Sequence, residues 1–374
     1  MRSQYPPTPA ILEVRPRLAA AGKNMLCGFV DKMLVSKLSD IAKRAGVSVT
    51  AVSIVLNNES TTRVSEAKRA LIFNIAKELN YVPNELAKAL AERRTRLLGL
   101  MVPLRDPIFF NQFIAQALSG IQKTLMRRGY NLLVYSPSGR PGRYTRDQVL
   151  ESKLTDGLIF INTRSCSAHD INQTIHDLEA ANIKFTMINS YYGRAPINYV
   201  GVDDKAIGEA AGRYLIEAGH NRIAFLSGSH TLPSHLQLLL GIKHAMAAAG
   251  AHLAPELVGC TDYEEEKAFA ILDRWFARKS ERPSAIFCAD DQLVMEMYNY
   301  IDARRLVVPR DVSVLGRGNA SVGSYMRPRL TAFWIPTLEM GELAADILID
   351  SIEKPDQKRR RVLLPFKFSP GQTA

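Results

Sequence analysis

The sequence is poor in cysteine and has no long apolar run. Its 374 residues include four cysteines, none of them in a C-x-x-C pair, which argues against a zinc site and is typical of reduced cytoplasmic thiols. No stretch reaches the roughly 18 apolar residues that cross a bilayer. Prolines and Glu13 interrupt the first twenty residues, where a secretory signal needs an apolar core. We therefore expect a cytoplasmic protein that does not contact a membrane.

The motifs of several enzyme classes are also missing. There is no G-x-S-x-G nucleophile elbow and no G-x-x-x-x-G-K-[ST] phosphate loop, and the seven histidines show no H-E-x-x-H spacing. Gly316 and Gly318 begin a dinucleotide-binding pattern, but Ser321 stands where its third glycine is required. These absences predict a protein that is not an enzyme and that holds no metal or cofactor.

Positive charge is concentrated towards the N-terminus. Of the net charge of +11, residues 37–96 carry +5 and residues 1–36 carry +3, which leaves +3 for the other 278 residues. Such a bias is expected of a module that binds nucleic-acid phosphates, although an ordinary solvated surface has the same composition.

The segment 38–57 predicts two short helices joined by a tight turn. The first helix runs from Leu38 to Ala45, and the second carries its apolar stripe at Val52, Val55 and Leu56. Between them, Gly46 favours a positive φ and Ser48 is a good N-cap. This pattern is typical of the helix-turn-helix, whose second helix enters the DNA major groove. A helical hairpin within a larger core is the alternative.

Further helices are predicted after this segment. A third helix fits Ser65 to Leu79, with Ser65 as its N-cap and a buried stripe at Ala67, Leu71, Ile75 and Leu79. A short helix from Asn84 to Ala91 and a charged linker at 92–96 come next. Residues 1–36 are rich in proline and lack periodicity. We expect a disordered extension there, or a true translation start at Met33.

From Leu97 onward, apolar strands alternate with amphipathic helices. The strands are predicted at 97–102, 131–135, 157–161, 185–188, 223–226, 285–288, 312–315 and 331–335, and a last strand is predicted within 362–368. This alternation predicts doubly wound parallel sheets with ligands at the carboxyl ends of the strands. The number of strands fits two lobes better than one.

These motifs, in this order, resemble the LacI/GalR family of bacterial transcription repressors. The resemblance extends from about Lys37 to Phe368, and its most specific motifs are Asp-Ile-Ala-x-x-Ala-Gly-Val-Ser, Leu-Asn-Tyr-Val-Pro-Asn-x-x-Ala, Gly-His-x-Arg-Ile-Ala-Phe at 219–225 and Val-Pro-Arg-Asp-Val-Ser-Val-Leu-Gly at 308–316. It implies an N-terminal all-α helix-turn-helix domain followed by a two-lobed α/β domain like a periplasmic binding protein. It also implies a homodimer that binds a pseudo-palindromic DNA operator as a nucleoid-associated repressor. A small-molecule effector bound between the lobes, a sugar or a related metabolite, would switch the affinity of the protein for its operator. A small-molecule binding protein without a DNA target is the alternative.

The expected domain boundaries follow from the resemblance and the pattern. They are a DNA-binding domain at 37–82, a hinge helix and linker at 83–96, and an effector-binding and dimerisation domain at 97–374, with lobe one at about 97–196 and 335–356 and lobe two at about 197–334 and 357–374.

The second helix of the helix-turn-helix is predicted to read the DNA bases. Because Val52, Val55 and Leu56 face inward, the outward side chains are Val49, Thr50, Ser53 and Ile54. The two apolar ones are expected to contact thymine methyl groups and the two hydroxyls to bond base edges or phosphates, unless the apolar pair packs on the third helix. The other predicted DNA contacts are Leu38, Ser48, Asn57, Ser65, Asn84 and Leu90. Family members usually carry Thr at position 51 and Arg at 54, so Ala51 and Ile54 predict a different operator.

The resemblance assigns Leu90 to the hinge-helix leucine that wedges into the minor groove. Such a wedge unstacks a base step and allows closer contact with a bent duplex. A two-turn helix is too short to be stable alone, so we expect it to order only with DNA and a partner subunit. Packing of Leu90 on its own helix is the alternative.

The effector pocket departs from the family pattern. Leu238 stands where many members have Arg, and Gly318 stands where an Asp is usual, so both charged anchors of a typical polar ligand are missing. We expect Asp290, Arg317 and Asn319 to replace them. The other predicted effector contacts are Phe109, Phe110, Thr163 and Ser190, although Phe109 and Phe110 also fit ordinary core packing. The ligand is expected to differ from a common sugar, to be larger or less polar, or to be absent.

Overall fold

The computed structural model describes residues 36–56, 64–82, 94–102, 111–135, 154–162, 168–318 and 320–374. The chain divides into two compact units, Met1–Lys88 and Ala89–Ala374. The predicted N-terminal extension up to residue 35, with Met33, and the hinge helix at 84–91 lie outside the described residues. So do seven predicted site residues: Asn57, Asn84, Leu90, Phe109, Phe110, Thr163 and Asn319.

Three helices make up the described part of the first unit: α1 (Leu38–Ala45), α2 (Val49–Leu56) and α3 (Glu66–Glu78). Gly46 ends α1 with φ of 63°, the left-handed conformation that glycine adopts without strain. The hydroxyl of Ser48 accepts the backbone N–H of Ala51 at 3.1 Å, which satisfies one of the unpaired donors at the start of α2. The predicted turn between the two helices is therefore confirmed in its local geometry.

The core of this unit corrects the stripe predicted for the third helix. Leu71 is 44% exposed and Ala67 is exposed, whereas Ile72, Ile75 and Ala76 are buried. Residues spaced by four drift around a helix, while the spacing of Ile72, Ile75, Ala76 and Leu79 keeps to one face. Ser65 occupies the N-cap position as predicted, but its side chain makes no capping hydrogen bond.

The second unit contains two six-stranded sheets. The first consists of β1 (Leu97–Met101), β2 (Asn131–Tyr135), β3 (Gly157–Ile161), β4 (Phe185–Ile188), β5 (Asn198–Gly201) and β11 (Arg361–Leu363), in the spatial order β11-β5-β4-β3-β1-β2. All its neighbouring strands are parallel. Its described helices are α4 (Gln112–Arg128), α5 (Ala168–Ala180) and α11 (Thr337–Glu353).

The second sheet repeats this order. It consists of β6 (Ile223–Ser227), β7 (Val258–Cys260), β8 (Ala285–Cys288), β9 (Ser313–Gly318), β10 (Thr331–Trp334) and β12 (Lys367–Ser369), in the spatial order β12-β10-β9-β8-β6-β7, with only β12 antiparallel. Its helices are α6 (Asp204–Glu217), α7 (Pro233–Ala248), α8 (Glu265–Phe276), α9 (Asp291–Arg304) and α10 (Ala320–Tyr325). The predicted fold class, two lobes of doubly wound sheet after a helix-turn-helix, is confirmed.

Two strands shift the expected lobe boundaries. β5 and β11 pair with each other in the first sheet, whereas the sequence predicts lobe two for residues from about 197 and from about 357. Arg361 lies opposite Tyr199 in this pairing, with its guanidinium 4.9 Å from the ring centroid, and this cation–π contact favours the pairing. The terminal segment thus forms two short strands in different sheets, because β12 pairs with β10.

Each lobe contains a helix pair that meets through glycine. A Cβ on Gly341 in α11 would lie 2.1 Å from the carbonyl oxygen of Ala117 in α4, and one on Gly241 in α7 would lie 2.1 Å from that of Lys205 in α6. A larger residue at either position would separate the helices.

We predict that Ile72→Ala destabilises the first unit far more than Leu71→Ala. Ile72 has no exposed surface, so its truncation leaves a cavity and is expected to cost about 2–4 kcal/mol. Truncation of the exposed Leu71 is expected to cost less than about 0.5 kcal/mol. Chemical unfolding of the two full-length variants, followed by circular dichroism, gives both values. Equal losses would contradict the assigned buried face of α3.

Candidate functional site

The outer face of α2 is the candidate DNA-reading surface. Val49 is 46% exposed and Thr50 is exposed, while Ser53 and Ile54 are half-buried. Val52 and Val55 are fully buried on the opposite side. The four predicted base-reading side chains therefore share one accessible face. The core cluster of this unit includes Leu56, whereas Val49 and Ile54 are not among its described members.

The remaining predicted DNA contacts of this unit differ in how exposed they are. Leu38 is half-buried against the core cluster, and Ser48 and Ser65 are exposed at the starts of α2 and α3. α2 itself carries no charged residue. Among the described residues of this unit, the exposed cations lie on the segments that flank α2: Lys37, Lys43, Arg44, Lys68 and Lys77. Any sequence reading by α2 must therefore use hydroxyl and methyl groups, with charge supplied from its flanks.

A cavity of about 380 Å³ lies where carboxyl ends of strands from both sheets meet. Its described lining includes Asn162 and Asn189, which follow β3 and β4, and Asp290 and Gly318, which follow and end β8 and β9. In doubly wound sheets ligands bind at these ends, next to the point where the strand order reverses. The cavity has the size of a small-ligand site.

The first lobe contributes three asparagines to this cavity. Asn111 caps α4 through its Oδ1, which accepts the N–H of Ile114 at 3.2 Å. Asn162 donates from Nδ2 to the carbonyl oxygen of Ser190 at 3.1 Å. Asn189 and Ser190 both have positive φ, 67° and 56°, an uncommon conformation that turns the chain sharply after β4. Ser190, a predicted effector contact, is buried behind the described lining.

Asp290 is held by three donors in the second lobe. Its Oδ1 accepts the N–H of Leu293 at 3.0 Å and its Oδ2 accepts the hydroxyl of Tyr263 at 2.6 Å, while His235 Nε2 lies 3.4 Å from Oδ2. Burial alone would raise the pKa of the Asp290 carboxyl, but these donors, His235 foremost, hold it below its ordinary value. Burial and the charge of Asp290 in turn raise the pKa of Glu296 to about 7. Asp290 is therefore a negative charge in the cavity wall.

Ser227, His235 and Asp290 form a chain that differs from a hydrolytic triad. The N–H of Gly228 donates to His235 Nδ1 at 3.2 Å, so this nitrogen carries no proton and Nε2 donates towards Asp290. Ser227 Oγ lies 3.1 Å from the same Nδ1 and donates to the carbonyl of Ser229 at 3.1 Å. The hydroxyl is buried and lies outside the described cavity lining. This chain braces Asp290.

Arg317 forms a buried ion pair. Its Nη2 lies 2.6 Å from Asp204 Oδ1, and the two side chains are 6% and 1% exposed. Asp204 also accepts a very short hydrogen bond from the hydroxyl of Tyr192. Burial would lower the pKa of Arg317, but Asp204, Tyr192 and Asp290 together outweigh it and raise the pKa, while burial and Asp204 raise the pKa of Tyr192. Tyr192 precedes β5 of the first sheet, and Arg317 and Asp204 belong to β9 and α6 of the other lobe.

The two positions that depart from the family pattern have structural explanations. Leu238 has no exposed surface, and a Cβ on Gly208 would lie 2.2 Å from its carbonyl oxygen, so it belongs to the α6–α7 contact. At Gly318 a Cβ would lie 2.0 Å from Asp291 Oδ1. The carboxylate of Asp291, from the first turn of α9, thus fills the space where a residue-318 side chain would begin.

Several residues around the cavity retain unused hydrogen-bonding atoms. Within the described ranges, no partner is found for four buried atoms of lining residues: Asn162 Oδ1, Asn189 Oδ1, Arg317 Nε and Thr337 Oγ1. A buried polar atom without a partner costs about 1–3 kcal/mol, so a ligand that bonds to these atoms would regain it. Asn162, Asn189, His235, Tyr263 and Thr337 were not predicted, although their positions after strands or in first helical turns are a signal that the sequence contains.

Among the described residues, no group of three or more His, Cys, Asp or Glu side chains has a geometry that could hold a metal ion. No helix in the described ranges is both long and apolar enough to cross a membrane.

Comparison with known proteins identifies both units. Residues 37–84 match the family model described as bacterial regulatory proteins, lacI family, and residues 213–374 match a periplasmic binding protein-like domain. The chain is 30% identical over 332 residues to the HTH-type transcriptional repressor PurR of Aliivibrio fischeri strain MJ11, which covers 87% of this chain and 94% of PurR. It is 30% identical over 343 residues to the ribose operon repressor of Escherichia coli K12, which covers 90% of this chain and 99% of that repressor.

Solved structures agree in fold. The transcriptional regulator CelR in complex with cellobiose is 26% identical and aligns with a TM-score of 0.66 over 91% of this chain and 100% of CelR. The Lac repressor bound to ONPG in the repressed state is 24% identical, with a TM-score of 0.76 over 91% of this chain and 99% of that chain. The chain therefore belongs to the lacI family of bacterial regulatory proteins and is a DNA-binding transcriptional regulator.

Proposed function

We propose that this protein is a cytoplasmic, nucleoid-associated repressor that binds a pseudo-palindromic operator as a homodimer and is not an enzyme. The observation that carries the proposal is the outer face of α2, where Val49, Thr50, Ser53 and Ile54 lie together on a helix-turn-helix with a complete core behind them. Relatives that cover most of the chain are named repressors, one of them of a ribose operon. The buried Ser227 further argues against hydrolysis at the cavity.

The effector of this repressor binds in the cavity between the lobes. Asp290 and Arg317 are the predicted contacts that line it, and Asn162, Asn189 and Thr337 join them there. The structure of CelR, which has the same two-lobed architecture, is that of a complex with cellobiose. A ligand that bridges the lobes favours one lobe arrangement, and only a difference in affinity between two arrangements can switch DNA binding. The proposal also includes the other predicted contacts. For DNA these are Asn57, Asn84 and Leu90, and for the effector they are Phe109, Phe110, Thr163, Ser190 and Asn319.

The test of this function is binding to the DNA upstream of the protein's own gene. Gel-shift titrations of the full chain at several salt concentrations are expected to show binding that weakens steeply, with a slope of about −0.9 in log K per phosphate neutralised. An absence of binding to this DNA at low salt would refute the proposal.

We predict that Thr50→Val weakens operator binding about five- to tenfold, because the isosteric change removes one hydroxyl worth about 1 kcal/mol. Leu71→Ala, a change of the exposed side of α3, serves as the matched control and is expected to leave the affinity unchanged. Titrations with operator and with unrelated DNA separate the two effects, since loss of a base contact acts on the operator alone. Equal losses on both DNAs would show that Thr50 does not read sequence.

A further inference from the structure

We propose that the buried Arg317–Asp204 pair is the specificity determinant of the cavity, which selects an uncharged polyhydroxy ligand and rejects the phosphate ester of that ligand. The inference rests on the proposed function, in which this cavity is the effector site. It identifies the class of effector and the residues that set it.

The first argument is that the positive charge of Arg317 in the cavity wall is already paired. Among the described lining residues, Arg317 is the one arginine or lysine side chain. Phosphate recognition by arginine uses two parallel N–H bonds from the guanidinium fork. One of those nitrogens, Nη2, is bound to Asp204 at 2.6 Å, and both partners are buried. The charge is neutralised before any ligand arrives.

The second argument is the sign of the remaining charge. Asp290 and Asp291 both line the cavity, and the low pKa of Asp290 keeps it ionised. Burial, and after it the charge of Asp290, raises the pKa of Glu296 to about 7. A phosphate dianion would enter a low-dielectric space whose formal charge is already negative, and like charges there repel strongly.

The third argument is the mixture of unused hydrogen-bonding atoms. Asn162 Oδ1 and Asn189 Oδ1 need donors, Arg317 Nε needs an acceptor, and Thr337 Oγ1 takes either. A ligand hydroxyl both donates and accepts, so several hydroxyls satisfy this set. The phosphate group of an ester only accepts, so it cannot supply the donor that the hydroxyl it replaces would give to an asparagine oxygen. Phe113, also in the lining, offers an apolar face to the C–H side of a polyol ring.

Matched pairs of probes test the proposal on the full-length protein. Thermal unfolding and calorimetric titration compare ribose, glucose, cellobiose and further pentoses, hexoses, disaccharides and polyols with the phosphate esters of the same compounds and with inorganic phosphate. At least one uncharged compound is expected to bind, and its ester to bind at least about tenfold more weakly. Tighter binding of an ester, or no binding of any uncharged member, overturns the proposal. Operator binding of the same preparation, measured separately, shows whether the proposed function survives.

Three variants assign the selectivity to the pair. Asp204→Asn frees the charge of Arg317 and is expected to raise the affinity for the ester relative to its parent at least about tenfold. The double variant Asp204→Asn/Arg317→Gln removes both charges and is expected to restore the preference for the parent. Asp203→Asn is the matched control: Asp203 is exposed, its side chain caps α6 through the N–H of Ala206, and asparagine can replace that cap.

The affinity ratio decides between the outcomes. An unchanged ratio in Asp204→Asn, or the same change in Asp203→Asn, refutes the role of the pair. If Asp204→Asn does not fold, the double variant decides, because the proposal requires it to keep the preference for the uncharged parent.

Discussion

The buried ion pair of Arg317 and Asp204 is the interaction on which the rest of the second unit depends. It joins the end of β9 to the start of α6, where the chain has just left the first sheet. Tyr192, which precedes β5 of the first sheet, bonds to the same carboxylate. Two charges out of water are tolerable only when each satisfies the other, so these elements are held in one arrangement. The pair thus fixes the local geometry and the electrostatic character of the cavity together.

The cavity follows from the same architecture. Parallel strands bring polar residues to their carboxyl ends, and each lobe supports its own set: asparagines in one, and Asp290 with its donors in the other. Because the walls belong to two lobes, a ligand that bonds to both changes the relative stability of lobe arrangements. Arg317 connects this event to the segment between the lobes, since its Nη2 bonds to Asp204 while its Nε has no described partner. A ligand-driven switch needs a group of this kind, which bonds both to the ligand and to the segment between the lobes, and whose bonds differ between the ligand-bound and ligand-free states.

Sequence reasoning reached the architecture because periodicity and turn chemistry are local. Gly46 and Ser48 determine the turn of the helix-turn-helix, and most strands of the sheets were placed from apolar runs. It missed β5 (Asn-Tyr-Val-Gly) and β7 (Val-Gly-Cys), because each contains a glycine and only two apolar residues and so gives no apolar run. In α3 it placed Ile75 and Leu79 correctly but took Ala67 and Leu71 for the buried residues in place of Ile72 and Ala76, since Leu71 and Ile72 differ only in which neighbours they meet. At the cavity it found Arg317 but had no means of pairing it with Asp204, 113 residues away. Long-range pairing of charges is decided by the fold and leaves no periodic signal.

A double-mutant cycle on the pair tests the central claim most directly. The free energy of unfolding of the second unit is measured for the wild type, Arg317→Met, Asp204→Asn and the double variant. Each single change leaves one buried charge unpaired and is predicted to cost about 3–5 kcal/mol. The double change is predicted to cost much less than the sum of the single changes, since contacting partners are not additive. Additive losses would contradict the account, because they would mean that Arg317 and Asp204 do not neutralise each other.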